Sequence, residues 1–498
     1  MTAVARSEVL IVGAGFGGIA TTIELGRHGI TDVTLLEAGD GLGGTWMWNT
    51  YPGAACDVPS HLYSYSYEQR TDWTRLCSPQ QEILTYIREI AERHGVTERV
   101  RTGEEVTSCT YSEAGDLWQV ETASGGRYEA PVLVLATGQL NHPRFASIPG
   151  RDQFGGTSFH SARWDHDAEL AGKDIAVIGT GASAVQFVPE IAKRARSVTV
   201  YQRTANWMMP RRNRAYPAPL RWLFEHVPGL QAARRAYITL YTESLTVAIR
   251  HPRTFGRFVK LLSTRFMRRE LKGDPELAEK VWPDYTFGCK RVLFSSSWIE
   301  TLRKPHVELV TESISEITAE GVTTADGTAR KADALIWATG FATTGFMAPL
   351  QITGRDGHTL DEAWSRGAHA HLGMTVPKFP SMFVMYGPNT NTSGGSILVY
   401  LEAQARYIRQ AVELRRSSGA AAIEVSEEVE RRSDEALQAR FAGTAWLDCD
   451  SWYRADGGRI VTNWPDSMRS YVRKTAQLDP ADFHLKMPER DRVPAATH

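Results

Sequence analysis

The sequence has almost no net charge and no segment dominated by charge of one sign. Its 56 Lys and Arg residues nearly equal its 57 Asp and Glu residues over 498 positions. This balance, without a basic tract carrying aromatic residues, argues against a nucleic-acid-binding surface. With 42% hydrophobic residues the chain can bury a large core, and its length predicts about two to four domains.

Long apolar runs are also missing. No stretch of about 18 apolar residues occurs, so we expect no membrane span. The most apolar helical stretch, residues 236–249, is too short and carries Glu243 in its middle. The N-terminal residues run almost at once into a strand and a glycine turn, so we expect no signal peptide.

Cysteines are few and scattered, and no C-x-x-C motif is present. This pattern predicts neither a disulfide framework nor a redox dithiol. A reducing compartment fits such usage, so we expect a cytoplasmic protein. We also predict no metal site. The five cysteines are Cys56, Cys77, Cys109, Cys289 and Cys449.

A β–α–β unit opens the chain. Residues 8–13, EVLIVG, have the Val- and Ile-rich character of a buried parallel strand. The motif Gly13, Gly15, Gly18 then opens a helix, where it lets the backbone turn and approach a pyrophosphate. Glu37 ends the second strand, placed to accept from a ribose 2′-hydroxyl. This unit predicts a dinucleotide site, against the alternative of a tight turn without ligand.

A second unit of the same type begins near residue 173. Its turn uses Gly179, Gly181 and Ala184, and its second strand ends in Arg203 and Thr204 rather than in a carboxylate. A guanidinium can bind a 2′-phosphate that a carboxylate would repel, which favours NADPH over NADH. The alternative is a solvated surface arginine. Two dinucleotides in one chain indicate a flavin and its reductant, with FAD in the first unit.

The predicted fold is therefore α/β, with two Rossmann-like dinucleotide-binding domains and a helical insertion in the second. Each unit also has a later apolar strand followed by an Ala-Thr-Gly turn. The predicted segments are 1–145 (FAD domain, N-terminal part), 146–205 (NADPH domain, first part), 206–284 (helical insertion), 285–341 (NADPH domain, second part) and 342–498 (FAD domain, C-terminal part and tail).

Two longer patterns carry a family resemblance. Residues 154–165, FGGTSFHSARWD, match F-x-G-x-x-x-H-x-x-x-W-[P/D], and residues 43–57 match [A/G]-G-x-W-x-x-x-x-[F/Y]-P-[G/M]-x-x-x-D. With the two glycine turns, they resemble the type I Baeyer–Villiger monooxygenases of the class B flavoprotein monooxygenases, over about residues 8–470. The first pattern would link the two nucleotide units. His160 within it could be a general base on spacing alone, but the resemblance favours an architectural role.

The resemblance implies an FAD-containing, NADPH- and O₂-dependent enzyme that converts a lipophilic small-molecule ketone into an ester or lactone. A C4a-peroxyflavin would attack the carbonyl to give the Criegee intermediate. Arg291 would be the catalytic cation, since arginine stays protonated and can stabilise both anions. Asp57 would position it, Lys290 would contact the NADP 2′-phosphate, and Trp452 the NADP ribose.

Further cofactor contacts are expected along the same motifs. Backbone amides of residues 387–395 would lie near the flavin ring. The oligomeric state stays open. The remaining predicted contacts are Phe16, Gly17, Gly44, Thr45, Trp46, Trp48, Val58, Tyr63, Val106, Gly138, Thr180, Ala182, Ser183 and Gln186.

Three other functions are alternatives to this one. A flavin-containing monooxygenase that oxidises sulfur or nitrogen would need no arginine, and such enzymes typically carry Tyr or Phe in place of Trp164. A flavin-dependent disulfide reductase would need a cysteine pair, which the spacing does not offer. A non-enzymatic nicotinamide sensor would consume no NADPH in response to substrate.

Overall fold

The structure is a computed structural model that describes residues 4–211, 213–342, 346–347, 349–392, 394–455 and 457–488. Up to residue 160 its elements are β1 (Ala5–Arg6), β2 (Val9–Val12), α1 (Phe16–Arg27), β3 (Val33–Glu37), α2 (Thr45–Trp48), α3 (Gln80–Arg93), β4 (Val100–Thr102), β5 (Val106–Ser112), β6 (Leu117–Thr122), β7 (Arg127–Ala130), β8 (Val132–Leu135) and β9 (Thr157–His160). Up to residue 337 they are β10 (Asp174–Ile178), α4 (Ala182–Ile191), β11 (Ser197–Tyr201), β12 (Met208–Met209), α5 (Ala218–His226), α6 (Leu230–Arg250), α7 (Phe255–Leu271), α8 (Pro275–Val281), β13 (Leu293–Phe294), α9 (Trp298–Leu302), β14 (Val307–Val310), β15 (Ile314–Thr318), β16 (Gly321–Thr324), β17 (Ala329–Lys331) and β18 (Ala334–Trp337).

The last third adds mainly helices. Short 3₁₀ turns lie at Thr97–Arg99, Arg151–Gln153, Ser161–Arg163, Arg355–Gly357, Ala445–Leu447 and Pro480–Asp482. The remaining elements are β19 (Gln351–Thr353), α10 (Leu360–Ala363), β20 (Met382–Val384), α11 (Ile397–Ser418), β21 (Ala422–Val425), α12 (Glu427–Ala439), α13 (Met468–Lys474) and β22 (Phe483–Lys486).

The first nucleotide unit is a five-stranded parallel sheet in the order β20-β8-β2-β3-β4. The side chains of β2 and β8 are all buried, as expected for apolar strands covered on both faces. Helix α1 packs against α11, so that the C-terminal third covers this sheet and also supplies its edge strand.

The second unit repeats that plan in the order β14-β11-β10-β18-β9. The first sequence pattern supplies its edge strand, because β9 pairs in parallel with β18 from Thr157 to His160. Each unit also carries an antiparallel meander before its last central strand. These are β5 to β7 in the first unit and β15 to β17 in the second.

Between β12 and β13 the chain forms the four helices α5 to α8. Helix α6 packs against α5 and α7, and α7 packs on β12 and α9 of the second unit. Among the described residues, no helix is both long and apolar enough to cross a bilayer.

One disulfide joins Cys289 to Cys449, and the expectation of unpaired cysteines was wrong for this pair. The two residues lie 160 positions apart, so neither spacing nor composition could reveal that the fold brings them together. The bond links the segment of Lys290 and Arg291 to the segment that follows α12. The other three cysteines are free and buried.

Candidate active site

A cavity of about 550 Å³ lies between the two nucleotide units. The turn before α1 contributes Gly13 and Gly15 to its wall, and the N-terminal end of α4 contributes Ala182 and Ser183. Its size is that of a site for a cofactor-sized molecule.

The first turn is built by close backbone approach. Gly13 has φ +104°, and a Cβ there would lie 2.6 Å from the carbonyl oxygen of Ala136. A Cβ on Gly44 would lie 2.9 Å from the Cα of Gly15, so the loop after β3 rests directly on the turn. Side chains at these positions would force the two segments apart, which explains why glycine occupies them.

Glu37 holds this turn in place. Its carboxylate accepts hydrogen bonds from the backbone N–H groups of Ala14 (2.8 Å) and Gly39 (3.0 Å), and it is 6% exposed. Each carboxylate oxygen can accept a further bond, and Glu37 lines the cavity. The side chain therefore both fixes the turn and offers an acceptor to a bound hydroxyl.

Two further features of the wall fit a flavin nucleotide. A Cβ on Gly138, which has φ +75°, would meet no atom within 4 Å, so this turn leaves open space beside the sheet. Gln139 donates from its side chain to the Tyr386 carbonyl (2.7 Å), whereas its buried Oε1 has no partner among the described residues. A donor on a bound group would satisfy that oxygen. The residues present thus fit the predicted group.

The second turn resembles the first in shape. Gly179 has φ +108°, and a Cβ there would lie 2.4 Å from the Ala338 carbonyl oxygen. The Asn206 side chain donates to the Thr180 carbonyl (2.9 Å) and steadies the turn from the far side. A Cβ on Gly181 would point into open space. The missing side chain at Gly181 leaves room for a bound group to approach the backbone.

Two cations stand together beside the second turn. Burial lowers the pKa of Lys290, and the nearby charge of Arg203 lowers it further. Two cations that repel each other in this way bind an anion well, because a phosphate between them relieves the repulsion. Lys290 lines the cavity, whereas Arg203 lies outside its wall. The pair fits the predicted 2′-phosphate of NADPH.

Arg291 and Asp57 meet at the cavity wall. The Arg291 Nη2 donates to Asp57 Oδ2, and these residues are 234 positions apart in the chain. The Asp57 carboxylate raises the pKa of Arg291, which holds the guanidinium protonated. Burial alone would raise the pKa of Asp57, but Arg291 and Arg211 together bring it below its ordinary value. The site therefore holds a fixed cation beside a carboxylate that stays ionised.

Arg211 and two tyrosines were missed by sequence reasoning. The Arg211 Nη2 donates to the Cys56 carbonyl (2.6 Å), and Arg211, Tyr386 and Tyr453 all line the cavity. Tyr386 is held in the left-handed region at φ +55°, and its hydroxyl donates to Asn391 Oδ1 (2.9 Å). Burial raises its pKa to about 12. A strained backbone at a cavity wall is a common mark of a functional site, but no local pattern reveals it in advance.

The two sequence patterns meet at the junction of the units. Tyr51 donates its hydroxyl to Gln186 Oε1 (3.2 Å), and Gln186 also pairs with both backbone groups of Ala55. The Arg163 guanidinium lies 4.1 Å from the centroid of the Trp48 ring. Segment 154–165 therefore joins the second sheet to the loop that carries Asp57.

His160 is buried within that segment. Its Nδ1 accepts from the Ala162 N–H (3.1 Å), and the ring packs beside Phe145 and Phe341. Burial lowers its pKa to about 4, so the ring is neutral near pH 7. A buried, neutral ring tied to its own turn agrees with an architectural role.

Most predicted contacts lie on the cavity wall. Gly18, Gly179, Thr180, Gly181, Arg203, Thr204 and Trp452 do not line it. Trp452 instead packs on Tyr453, with ring centroids 4.4 Å apart. Within the run 387–395, Ser393 lies outside the described residues. The predicted residues that line the wall are Gly13, Gly15, Phe16, Gly17, Glu37, Gly44, Thr45, Trp46, Trp48, Asp57, Val58, Tyr63, Val106, Gly138, Ala182, Ser183, Gln186, Lys290 and Arg291.

The chain is similar to known proteins over almost its whole length. A family model described as pyridine nucleotide-disulphide oxidoreductase matches residues 10–252. A Baeyer–Villiger monooxygenase of Streptomyces coelicolor is 38% identical over 492 residues, covering 98% of this chain and 94% of the relative. A phenazine N-monooxygenase of Lysobacter antibioticus is 31% identical and spans 96% of both chains.

Solved structures agree with these relatives. The closed crystal structure of cyclohexanone monooxygenase has a TM-score of 0.88 and 28% identity, covering 98% of this chain and all of that one. Oxidized steroid monooxygenase bound to NADP has a TM-score of 0.86 and 28% identity, covering 97% of this chain and all of that one.

Two dinucleotide-binding units that meet at one cavity, together with full-length relatives that are monooxygenases, define the chain as a flavoprotein monooxygenase. Within that class, the chain belongs to the Baeyer–Villiger monooxygenases, because full-length relatives of that name share more than a third of its residues. The predicted family, enzyme class and α/β fold with two nucleotide-binding units are confirmed.

Proposed function

We propose that this enzyme binds FAD in its first unit and NADPH in its second, and inserts one oxygen atom of O₂ beside the carbonyl of a ketone. NADPH-reduced FAD supplies the activated oxygen. The observation that carries the proposal is the Arg291–Asp57 pair at the wall of the cavity to which both nucleotide units contribute. Structures of two relatives, with NADP and with FAD and NADP, support the choice of cofactors.

Arg291 would stabilise the negative charge that develops on the ketone oxygen during attack. Its guanidinium is held by Asp57 and stays protonated, because the carboxylate raises its pKa. A cation that is fixed in position before the reaction needs no reorganisation when that charge appears. Asp57 would act on the arginine alone, by aiming it and balancing its charge.

The substrate would be lipophilic. The part of the cavity next to the α6 helix is lined by aliphatic and aromatic side chains, and such a surface favours apolar ligands. Ketones with hydrocarbon rings or chains would bury their apolar surface there. The lining there includes Tyr241, Leu245, Ile249, Phe287 and Trp446.

The test compares flavin reduction with ester formation in Arg291→Ala. Reduction by NADPH needs no cation beside the ketone, so stopped-flow absorbance should show a reducible flavin. Ester yield should fall about 10²- to 10³-fold, since losing one such stabiliser costs about 3–4 kcal/mol. Asp57→Ala should show the same defect in a milder form.

Arg431→Ala is the matched control, because that arginine lies on the exposed face of α12, paired with Glu428 and Glu435. It should behave as the wild type. Ester formation at the wild-type rate by Arg291→Ala would refute the proposed role.

Oxidation of nitrogen or sulfur is the second candidate. It is favoured by the relationship to the phenazine N-monooxygenase, which shares 31% of its aligned residues with this chain. A wild-type enzyme that oxidises thioethers or amines, yet yields no ester from linear, cyclic, aromatic or steroidal ketones, would establish this alternative. Arg291→Ala would then have little effect.

A cytoplasmic location is part of the proposal, because NADPH is available there and three of five cysteines are free. The Cys289–Cys449 disulfide points the other way, since such bonds are uncommon in reducing compartments. Cell fractionation, followed by a count of the free thiols in the recovered protein, distinguishes a cytoplasmic location from an oxidising compartment. No nucleic-acid partner is proposed.

A further inference from the structure

The exposed apolar side chains of the protein are concentrated on one set of helices. Of the sixteen large hydrophobic residues exposed in the described chain, eleven fall within residues 222–262. Scattered exposed hydrophobics are ordinary, but a concentration of this kind marks an interaction surface. The eleven are Trp222, Leu223, Val227, Tyr237, Leu240, Tyr241, Val247, Phe255, Phe258, Leu261 and Leu262.

Helix α6 is apolar on two sides. Tyr237, Leu240 and Val247 lie at the spacing of one helical face, and Leu240 is 73% exposed. The opposite side carries Leu245 and Ile249, which line the catalytic cavity. Only an inner apolar side is needed to close a cavity. The outer one therefore requires a separate explanation.

Cations accompany this apolar surface. Residues 218–272 contain eleven Arg and Lys residues but only three acidic residues, although the whole chain has a net charge of −1. Helix α7 places apolar and cationic side chains together on its outer face. Seven of the cations are exposed, namely Arg253, Arg257, Lys260, Arg265, Arg268, Arg269 and Lys272.

This combination selects the partner. A second copy of the chain would bring two surfaces of the same positive sign together, which charge repulsion opposes. An anionic lipid surface offers headgroups to the cations and hydrocarbon to the aromatic and aliphatic side chains. Helices with Arg and Lys beside Phe, Leu and Trp are typical of elements that lie in the plane of such an interface.

We propose that the exposed face of α5, α6 and α7 docks on the surface of an anionic lipid bilayer without crossing it. Tyr241 takes part in both surfaces, since it is 49% exposed and also lines the cavity. A lipophilic ketone dissolved in the bilayer would then enter beside α6. That last consequence rests on the proposed function, whereas the docking itself does not.

Flotation with lipid vesicles tests the docking. The FAD-loaded full chain is mixed with vesicles of phosphatidylcholine alone or of phosphatidylcholine with phosphatidylglycerol. We expect at least about tenfold tighter binding to the anionic vesicles, declining as salt is raised. Equal binding to both compositions, or no binding to either, would overturn the proposal.

Two double variants separate the apolar and cationic contributions. Leu240→Ser with Phe258→Ser, and Arg257→Gln with Arg265→Gln, should each lower the anionic-vesicle partition at least about tenfold. Matched controls outside the surface are Leu485→Ser with Met487→Ser, and Arg6→Gln with Lys331→Gln, which should bind as the wild type. Retained FAD absorbance verifies folding in every variant.

Two outcomes with these variants would contradict the proposal in distinct ways. If the surface variants float as well as the wild type, the bound region lies elsewhere. If sedimentation equilibrium shows a dimer that the Leu240/Phe258 variant dissociates, the partner is a second copy. Oxidation of a water-soluble ketone should be unchanged in these variants, so a failure of the Baeyer–Villiger activity in the wild type leaves the vesicle result independent.

Discussion

The two nucleotide-binding units have nearly the same backbone and different chemistry. Gly13 and Gly179 have φ of +104° and +108°. A Cβ on either would strike the carbonyl oxygen of the first residue after the last central strand, which is Ala136 after β8 (2.6 Å) and Ala338 after β18 (2.4 Å). Both sheets are parallel and five-stranded, with an antiparallel meander before that strand. The glycines of the shared turn are therefore required by the close approach of backbone segments, and they do not determine which nucleotide is bound.

The units diverge at the third position of the turn. In the first unit a Cβ on Gly18 would lie 2.1 Å from the Gly13 carbonyl oxygen, whereas the second unit accommodates Ala184 with no exposed surface. Helix α1 thus sits closer to its strand than α4 does. The difference shows that the same fold tolerates a methyl group at one site and excludes it at the other.

They also diverge where the second strand ends. Glu37 accepts two backbone hydrogen bonds and lines the cavity on the side of the first unit. Arg203 instead lies near Lys290 in the second unit. A carboxylate suits a ribose hydroxyl and a pair of cations suits a phosphate. Ligand choice therefore depends on a few side chains at the strand ends rather than on the turns.

Adding a methyl group to the closer turn should have the largest effect. Gly18→Ala should destabilise the protein by at least about 4 kcal/mol and release FAD, because the new Cβ meets rigid backbone. Urea unfolding and flavin retention measure this. Gly26→Ala in the same helix is the control, since its Cβ would meet nothing within 4 Å. A Gly18→Ala protein that keeps FAD would show that the turn can relax.

Removing the disulfide should have the second-largest effect on stability. The C-terminal third joins the first unit through β20 but is bonded covalently to the second through Cys289 and Cys449. Cys449→Ser should lower stability by about 3 kcal/mol, since the crosslink restricts the unfolded chain. Dithiothreitol should lower the wild type by the same amount and leave the variant unchanged. Five reactive thiols in the unfolded, unreduced wild type would exclude the bond.

The preference for NADPH over NADH should depend on the two cations of the second unit, Arg203 and Lys290. We expect the wild type to prefer NADPH over NADH by at least about tenfold in kcat/KM, or about 1.4 kcal/mol. Arg203→Ala and Lys290→Ala should each raise the KM for NADPH alone. Glu37→Gln should leave the ratio unchanged, because that residue belongs to the first unit. Equal use of both nucleotides by the wild type would remove the phosphate role from both cations.

Acid should affect the second sheet through its edge strand. His160 ends β9, and its pKa in the folded state is about 4, below the ordinary 6.5, because the ring is buried. The unfolded chain therefore binds more protons between these values, and stability falls as pH drops from about 6.5 towards 4. Between pH 7 and 5.5 this group should cost about 1 kcal/mol.

His160→Asn should remove that part of the acid sensitivity while keeping an acceptor for Ala162. Hydrogen exchange in β9 at both pH values measures it, with β20 as the internal reference, since Met382–Val384 contains no titratable group. His61 and His371 have pKa values lowered by burial in the same way and should keep the rest of the acid response. Identical exchange in β9 of variant and wild type would contradict the assignment.

Local patterns predicted much of the fold. Gly13 and Gly179 had to adopt positive φ, and the apolar runs that became β2 and β10 had to be buried, so both nucleotide units could be found from short segments. The parallel order of the strands around each turn follows from the right-handed connections of such units, whereas the meanders were not predicted. Glu37 and Arg203 were located because their distance from each turn is fixed by one helix and one strand.

Long-range pairings could not be predicted from local physics. Arg291 meets Asp57 across 234 positions, and only the family resemblance brought them together beforehand. Arg211, Tyr386 and the Cys289–Cys449 bond had no such guide, because their neighbours are set by the packing of distant segments. A local residue pattern therefore predicts only those residues of a binding site that lie within one supersecondary unit.

Strand β20 has a consequence for the order in which the protein is made. The first sheet includes residues 382–384, whereas the second is complete once residue 337 has been synthesised. A chain emerging from the ribosome can therefore finish its second nucleotide unit while β8 of the first is still an unpaired edge. The first sheet is thus completed only after the second, although most of its strands are synthesised earlier. A chain truncated before Met382 would leave the edge of β8 free to pair with other strands.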